Sequence, residues 1–304
     1  MLEEAYKIAC EKMVATTPSV TGYRVFWVRQ QEVGWIDLPV GGAYAILGRH
    51  SECDGILAQD PSISLRHLLA TTVEVADGVA LRLLDLQTAV SFFLADNIPR
   101  QSIVVFGSVA VRVGEYVVGC VPIEETGNGL QLRLGPLPRA EVADARDLRS
   151  RAVSRPPAQS SRDHDYSPDI THVTSIPAPS RLEETFGSRA DPSVAHLTPR
   201  RGTLSASVDL TASELDLGVL IGCASRCYDE GLQAVLDQNI SRGHVLVMRH
   251  QDRLEAFDLC SMQGTFKDGH RVRRQRIEDG GAVLTLGAIA PVTLEFVLQS
   301  DQRA

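Results

Sequence analysis

The chain has almost no lysine. Of its 30 basic residues only Lys7, Lys12 and Lys267 are not arginine, and the 38 acidic residues leave a net charge of -8. With no basic run and an acidic balance, neither nucleic acid nor an anionic membrane surface is an expected partner. No apolar stretch approaches the ~20 residues that a membrane-spanning helix needs. There is no P-loop, no dinucleotide fingerprint and no nucleophile–base pattern, so the common enzyme classes are set aside and no cofactor is expected. The six cysteines (Cys10, Cys53, Cys120, Cys223, Cys227, Cys260) are scattered through ordinary strand-like segments. Without a secretory signal they read as reduced, mostly buried thiols of a cytoplasmic protein. Cys223 and Cys227 have C-x3-C spacing, but zinc needs four placed ligands and the sequence offers no clear set, so no metal is expected.

What is present is mostly short β-type runs. Leu2 to Val14 carries apolar residues at Leu2, Tyr6, Ala9 and Met13, a helical face that a short isolated helix could not maintain alone. Residues 1–20 are therefore read as a helical extension. From Tyr23 the pattern changes to YRVFWV, GWIDL and AYAILG, then HLLATTVEV and VALRLLDL around an Asp77-Gly78 turn signal. VSFFLAD, SIVVF, VAVRV and YVVGCVPI follow, and GLQLRL reads as a last strand or the start of a linker. Many short strands without a helical window imply an antiparallel sandwich over residues 21–138.

Composition then shifts. Between Arg139 and Leu204 there is one tyrosine, Tyr166, and one phenylalanine, Phe186, while seven of the fifteen prolines fall between Pro156 and Pro199. With so little to bury, 139–204 is expected to be a disordered linker, with a short helical patch near 140–154. A second β-rich region, 205–304, contains ELDLGVLIG, HVLVMR, LEAFDL, GTFKDG, AVLTLG and VTLEFVL in the order of the first. The expectation is an all-β chain: one domain duplicated, with a linker between the copies.

Each copy carries three short motifs in the same order. In the second they are Gly222, then Ser241-Arg242-Gly243-His244, then Asp258-Leu259 leading to Gln263-Gly264-Thr265. In the first they are Gly48-Arg49, Ser64-Leu65-Arg66-His67, and Asp85-Leu86-Gln87-Thr88. Gly48 precedes Ser64 by 16 residues and Gly222 precedes Ser241 by 19. This order resembles the forkhead-associated (FHA) domain, a β-sandwich that binds phosphothreonine peptides with the loops at one end.

The resemblance implies roles for particular residues. A phosphothreonine carries nearly two negative charges and three acceptor oxygens, so it needs an arginine fork, a hydroxyl and loop amides. By the family pattern Arg49, Ser64 and Ser241 would grip phosphate, with Arg242 a further contact to the phosphopeptide. Gln263, standing where the family has asparagine, would hold the peptide with Gly264, Thr265 and Thr88. Gly48, His67, Gly222 and His244 would support the loops. The departures are complementary. Leu65 replaces an arginine, Val90, Ser91 and Phe92 replace the Asn-Gly-Thr turn, and Cys223 replaces the first-loop arginine, with Arg226 three residues beyond. His50, beside Arg49, reads as a solvated loop residue.

The implied function is a non-catalytic adaptor in Ser/Thr kinase signalling that recruits phosphothreonine-bearing proteins. The alternative is a scaffold whose sandwiches bind unphosphorylated partners. The linker itself offers Ser167-Pro168, Thr171, Thr174 and Thr198-Pro199, so a phosphorylated linker is a further candidate ligand for the chain's own modules.

Overall fold

A computed structural model describes residues 1–75, 78–127, 129–144, 170–177, 191–224, 227, 230–236, 238–251 and 253–299. The chain divides into two units, Met1–Ser180 and Arg181–Ala304. No helix among the described residues is long and apolar enough to cross a membrane.

The N-terminal unit opens with α1 (Leu2–Met13), then β1 (Gly22–Arg29), β2 (Glu32–Pro39), β3 (Tyr44–Gly48) and β4 (Gly55–Ile56). β5 (Leu68–Val75), β6 (Gly78–Asp85), β7 (Phe92–Phe93), β8 (Pro99–Phe106) and β9 (Val109–Val113) follow, with β10 (Tyr116–Thr126), β11 (Gly129–Leu132), β12 (Arg139–Asp144) and β13 (Ile170–Pro177). Their hydrogen bonds run β2-β1-β10-β9-β7-β8-β6-β5-β3-β4, with β11 on β10 and β13 on β8. Alternation along the strands selects the core: Leu81 and Leu83 of β6 and Ile103 and Val105 of β8 point inward with Tyr23 and Val25 of β1.

β1 is buried along nearly its whole length because both of its faces are covered. Its other face, Phe26 and Val28, meets Tyr6, Ala9 and Met13 of α1. Tyr6 sits edge-on to Phe26 with ring centroids 5.8 Å apart. This contact supplies the burial that a twelve-residue helix lacks alone. Behind the helix, Arg24 is 2% exposed and pairs with both oxygens of Asp37, at 2.6 and 2.8 Å, while its remaining nitrogen reaches the Thr16 hydroxyl.

The C-terminal unit has two sheets that enclose a hydrophobic core between them. β14 (Ser193–Arg201), β15 (Leu204–Ser205) and β16 (Val208–Thr211) precede α2 (Ala212–Leu217), β17 (Val219–Ile221) and α3 (Glu230–Val235). Then come β18 (Val245–His250), β19 (Arg253–Asp258), β20 (Thr265–Lys267), β21 (His270–Val272), β22 (Arg274–Ile277), β23 (Ala282–Leu286) and β24 (Val292–Leu298). One sheet runs β15-β14-β24-β23-β20-β21, with β16 on β14, and the other runs β17-β18-β19-β22.

Three expectations change. First, strands β12, β13 and β14 lie within 139–204, so that whole span is not linker, and 139–144 is strand rather than the start of a helical patch. The segment ITHVTSI alternates β-branched residues inside a proline-rich region, and it pairs with β8 by burying Val173 in the core. Second, Thr171 lies on this strand, 1% exposed, with its hydroxyl donating to the Ser108 carbonyl at 2.8 Å. Phosphorylating it would require that strand to detach; Thr174 is half-buried on the same strand, Thr198 lies on β14, and Ser167 falls outside the described residues. Third, the run from Glu214 is not one strand. Thr211 and Glu214 form a capping box, so 212–217 turns helical before Gly218 ends it with its φ of 92°. The Thr-x-x-Glu signature was present, but the apolar run after it suggested a strand.

Candidate functional site

In the C-terminal unit the loops after β17, before β18 and after β19 come together at one end of the sheets. Gly222 must be glycine, because a Cβ there would fall on the Arg242 carbonyl oxygen. That close approach lets the Cys223 N–H donate to the Ser241 carbonyl at 3.2 Å and the Ala224 N–H to the Arg242 carbonyl at 3.1 Å. The Cys227 thiol donates to the Arg242 carbonyl as well, at 2.9 Å.

His244 is fully buried and ties the second loop to the third. Its Nδ1 accepts from the Ser241 N–H at 3.3 Å, and its Nε2 lies 3.1 Å from the Gly264 carbonyl. Those partners place the ring proton on Nε2. Asp258, 5% exposed, shapes the third loop: one oxygen accepts the Ser261 N–H at 2.9 Å, the other the Ser261 hydroxyl at 2.5 Å and the Thr265 hydroxyl at 2.7 Å. The Met262 N–H then donates to Ser241 Oγ at 3.2 Å, so the loop serine and a third-loop amide already face one another.

The N-terminal unit repeats this frame. A Cβ on Gly48 would fall on the Leu65 carbonyl oxygen, the Arg49 N–H donates to Ser64 at 3.1 Å, and the His50 N–H donates to Leu65 at 3.0 Å. The Cys53 thiol donates to the Leu65 carbonyl at 3.2 Å, as Cys227 does to Arg242. His67 accepts the Ser64 N–H at 3.0 Å on Nδ1 and reaches the Val90 carbonyl from Nε2 at 2.9 Å. Asp85 accepts the N–H and hydroxyl of Thr88 at 2.6 and 2.9 Å, in the manner of Asp258 and Ser261. The ladders equate Phe92, opposite Val113, with Thr265, opposite Leu286, which puts Val90 in the place of Gln263.

The expected residues therefore gather as two sets, one per unit. Ser241 and Gln263 are half-buried at the loop surface and Arg242 is exposed. Thr88 and Thr265 differ from expectation: their hydroxyls turn inward to Asp85 and Asp258, which assigns them to the loop frame rather than to its outer surface. The Arg49 side chain lies along the loop, with Nε donating to the Ile63 carbonyl at 2.5 Å. Burial and the charge of Arg66 hold the His50 imidazole below its usual range. Arg226 lies outside the described residues. Among the described residues no three His, Cys, Asp or Glu side chains cluster as a metal site requires.

Residues 219–287 match the family model described as FHA domain. Residues 219–287 form an FHA domain. No curated relative matches the chain. Among solved structures the chain is similar to the FHA-1 domain of Mycobacterium tuberculosis Rv1747, at 23% identity over 36% of this chain and 100% of that one, with a TM-score of 0.27. It is also similar to the FHA domain of CT664 from Chlamydia trachomatis, at 19% identity, 36% and 100% coverage and a TM-score of 0.29. A third is the N-terminal FHA domain of Saccharomyces cerevisiae Rad53p in complex with a phosphothreonine peptide, at 20% identity, 35% and 94% coverage and a TM-score of 0.29.

One side chain beside the FHA domain's third loop belongs to none of the motifs. Arg271 Nη2 donates to the Ser261 carbonyl at 3.0 Å. The available signal was Asp268-Gly269, where φ values of 50° and 79° make the tight turn that returns Arg271 opposite Phe266.

Proposed function

We propose that this chain is a non-catalytic adaptor whose FHA domain, with its N-terminal counterpart, binds phosphothreonine-bearing segments of other proteins in Ser/Thr kinase signalling in the cytoplasm. The observation that carries the reading is the paired donor arrangement at Ser241: its hydroxyl stands 3.2 Å from the Met262 amide, on a loop that also exposes Arg242. A phosphoryl group placed there meets a hydroxyl, a guanidinium and loop amides, which is the donor set that a dianion requires. Gly222 and His244 hold the donors in place beforehand, so little ordering entropy is spent on binding. In the N-terminal unit Arg49 and Ser64 supply the corresponding pair, while Val90 in the place of Gln263 leaves the peptide backbone with one fewer polar anchor.

Calorimetric titration of the full chain with an oriented phosphothreonine peptide library, beside its unphosphorylated counterpart, tests this. Binding should require the phosphate, and Ser241→Ala should remove the component due to the FHA domain and Arg49→Ala that due to the N-terminal unit. Equal binding of both libraries would refute the reading and favour a scaffold.

A further inference from the structure

We propose that Ser207 is a reactive hydroxyl, activated by His196 and Asp209, that accepts the acyl group of esters with good leaving groups. The inference lies outside the phosphopeptide reading and does not rest on it.

The site follows from the hairpin that β14 forms with β15 and β16. Both pairings keep one register, with Arg200 opposite Ser205 and His196 opposite Asp209. Pro199 lies at the break between them, where its carbonyl accepts the Ala206 N–H at 3.2 Å and it has no N–H to return. Ser207 therefore sits in an interruption of the strand, exposed, two residues before Asp209.

Ser207 Oγ is 2.7 Å from Nε2 of His196, and Nδ1 of the same ring is 2.9 Å from Asp209 Oδ1. A carboxylate only accepts, so Asp209 holds the ring proton on Nδ1 and leaves Nε2 to accept from the serine hydroxyl. Nucleophile, base and orienting carboxylate thus stand in the order that makes a serine nucleophilic. No motif in the sequence displays this relay, because the three residues meet only across the ladder. The imidazole is half-buried and the carboxylate open to water, with side-chain exposures of 35% and 65%. On β24, Val297 stands directly opposite His196 and is 49% exposed, which gives an acyl group an apolar neighbour.

In the reaction Ser207 Oγ bonds to the acyl carbon as its proton passes to His196 Nε2. The acyl–oxygen bond of the ester then breaks, and the imidazolium returns that proton to the leaving oxygen. The products are O-acyl-Ser207 and an alcohol or phenol, with the imidazole neutral again. An open sheet face leaves the oxyanion of the intermediate to water, so the base and the leaving group must supply the assistance. That sets the class as aryl and similarly activated esters rather than alkyl esters or peptides. The serine is consumed once, so the event modifies the chain without turnover.

The test incubates the full chain with p-nitrophenyl acetate and follows acetylation residue by residue by peptide mass spectrometry. Ser205, exposed in the same hairpin and bonded to no histidine among the described residues, is the internal standard. Ser207 should be acetylated about 100-fold faster than Ser205, the contribution of a positioned general base. Hydroxylamine, which cleaves oxygen esters and spares amides, should remove that acetyl group but not those on Lys7, Lys12 and Lys267. His196→Gln should bring the Ser207 rate down to that of Ser205. Asp209, which positions the ring without touching the ester, should cost about 10-fold as Asp209→Asn, with part recovered in Asp209→Glu. Each variant should keep the thermal midpoint of the parent, since an exposed pair contributes little to stability. Ser207 acetylated no faster than Ser205, or at a rate that His196→Gln or Asp209→Asn leaves unchanged, overturns the inference. Either result leaves the phosphopeptide reading where it stands.

Discussion

The two units build the same loop frame and furnish it differently. Gly48 and Gly222, His67 and His244, Asp85 and Asp258, and even the thiols of Cys53 and Cys227 occupy corresponding places, with corresponding hydrogen bonds. The residues that face solvent do not correspond: Arg49 stands against Cys223, Leu65 against Arg242, Val90 against Gln263. The frame consists of buried polar groups, each costing about 1–3 kcal/mol if left unpaired, so a change there threatens folding. The outward positions carry no such penalty, so a loop can keep its shape while its ligand chemistry changes.

The comparison is broken most severely inside the frame. Asp258→Ala strands the N–H and hydroxyl of Ser261 and the hydroxyl of Thr265. It should destabilise the C-terminal unit by about 3 kcal/mol or more, read as an earlier transition in calorimetric unfolding of the full chain. Asp85→Ala removes the bonds to Thr88 and should act on the other unit with a smaller loss.

Exchanging the outward residues sharpens the comparison. Cys223→Arg gives the FHA domain the arginine of the other unit, and Arg49→Cys makes the reverse change. The first should tighten phosphopeptide binding about 10-fold and the second should weaken it by a similar factor, since a charge-assisted hydrogen bond contributes about 1.5–3 kcal/mol. Titration of each full-length variant, with Ser241→Ala added to the second, reads both. Affinities that stay in place would mean that the first loop does not reach the phosphate.

Thr211→Ala removes the capping box on α2, an element without a counterpart among the described residues of the N-terminal unit. A loss of about 1 kcal/mol in the C-terminal transition alone is expected from chemical denaturation.

The smallest effect is one of pH. The His50 imidazole is held below its usual range by burial and Arg66, and a bound dianion would raise it. Binding at the N-terminal loops should therefore take up protons and strengthen, by less than about 3-fold, as pH falls from about 8 towards 6.5. The lower limit keeps the phosphate, with its own second pKa near about 6, mainly dianionic. Calorimetry in buffers of different ionisation enthalpy reads the proton uptake. His50→Gln should flatten the profile, and the FHA domain, with Ala224 in the equivalent place, should not show it.

The motifs were legible because the frame depends on residue types that few others can replace. A glycine where two backbones touch, a histidine bonded through both nitrogens and an Asp-Leu turn leave a recognisable order even where the intervening lengths differ. The strands were legible by alternation, and β1, although it is buried on both faces, by its β-branched and aromatic content. Strand β13 was hidden because the surrounding prolines and serines dominate the composition, while its own pattern covers only eight residues. Helix α2 was hidden because its apolar residues run directly into β17, and a short apolar run has no period of its own.

The sequence by itself determined the class of fold, the duplication, the order of the three loops and which family positions are substituted. Those follow from local pattern and residue identity. The tertiary structure alone decided that Thr171 is a buried strand residue, that Thr88 and Thr265 face inward, and that Arg271 holds the Ser261 carbonyl of the FHA domain's third loop. These depend on contacts between residues distant along the chain, such as Thr171 with Ser108 and Arg271 with Ser261 through a hairpin, and no one-dimensional pattern encodes where a side chain points once strands have paired.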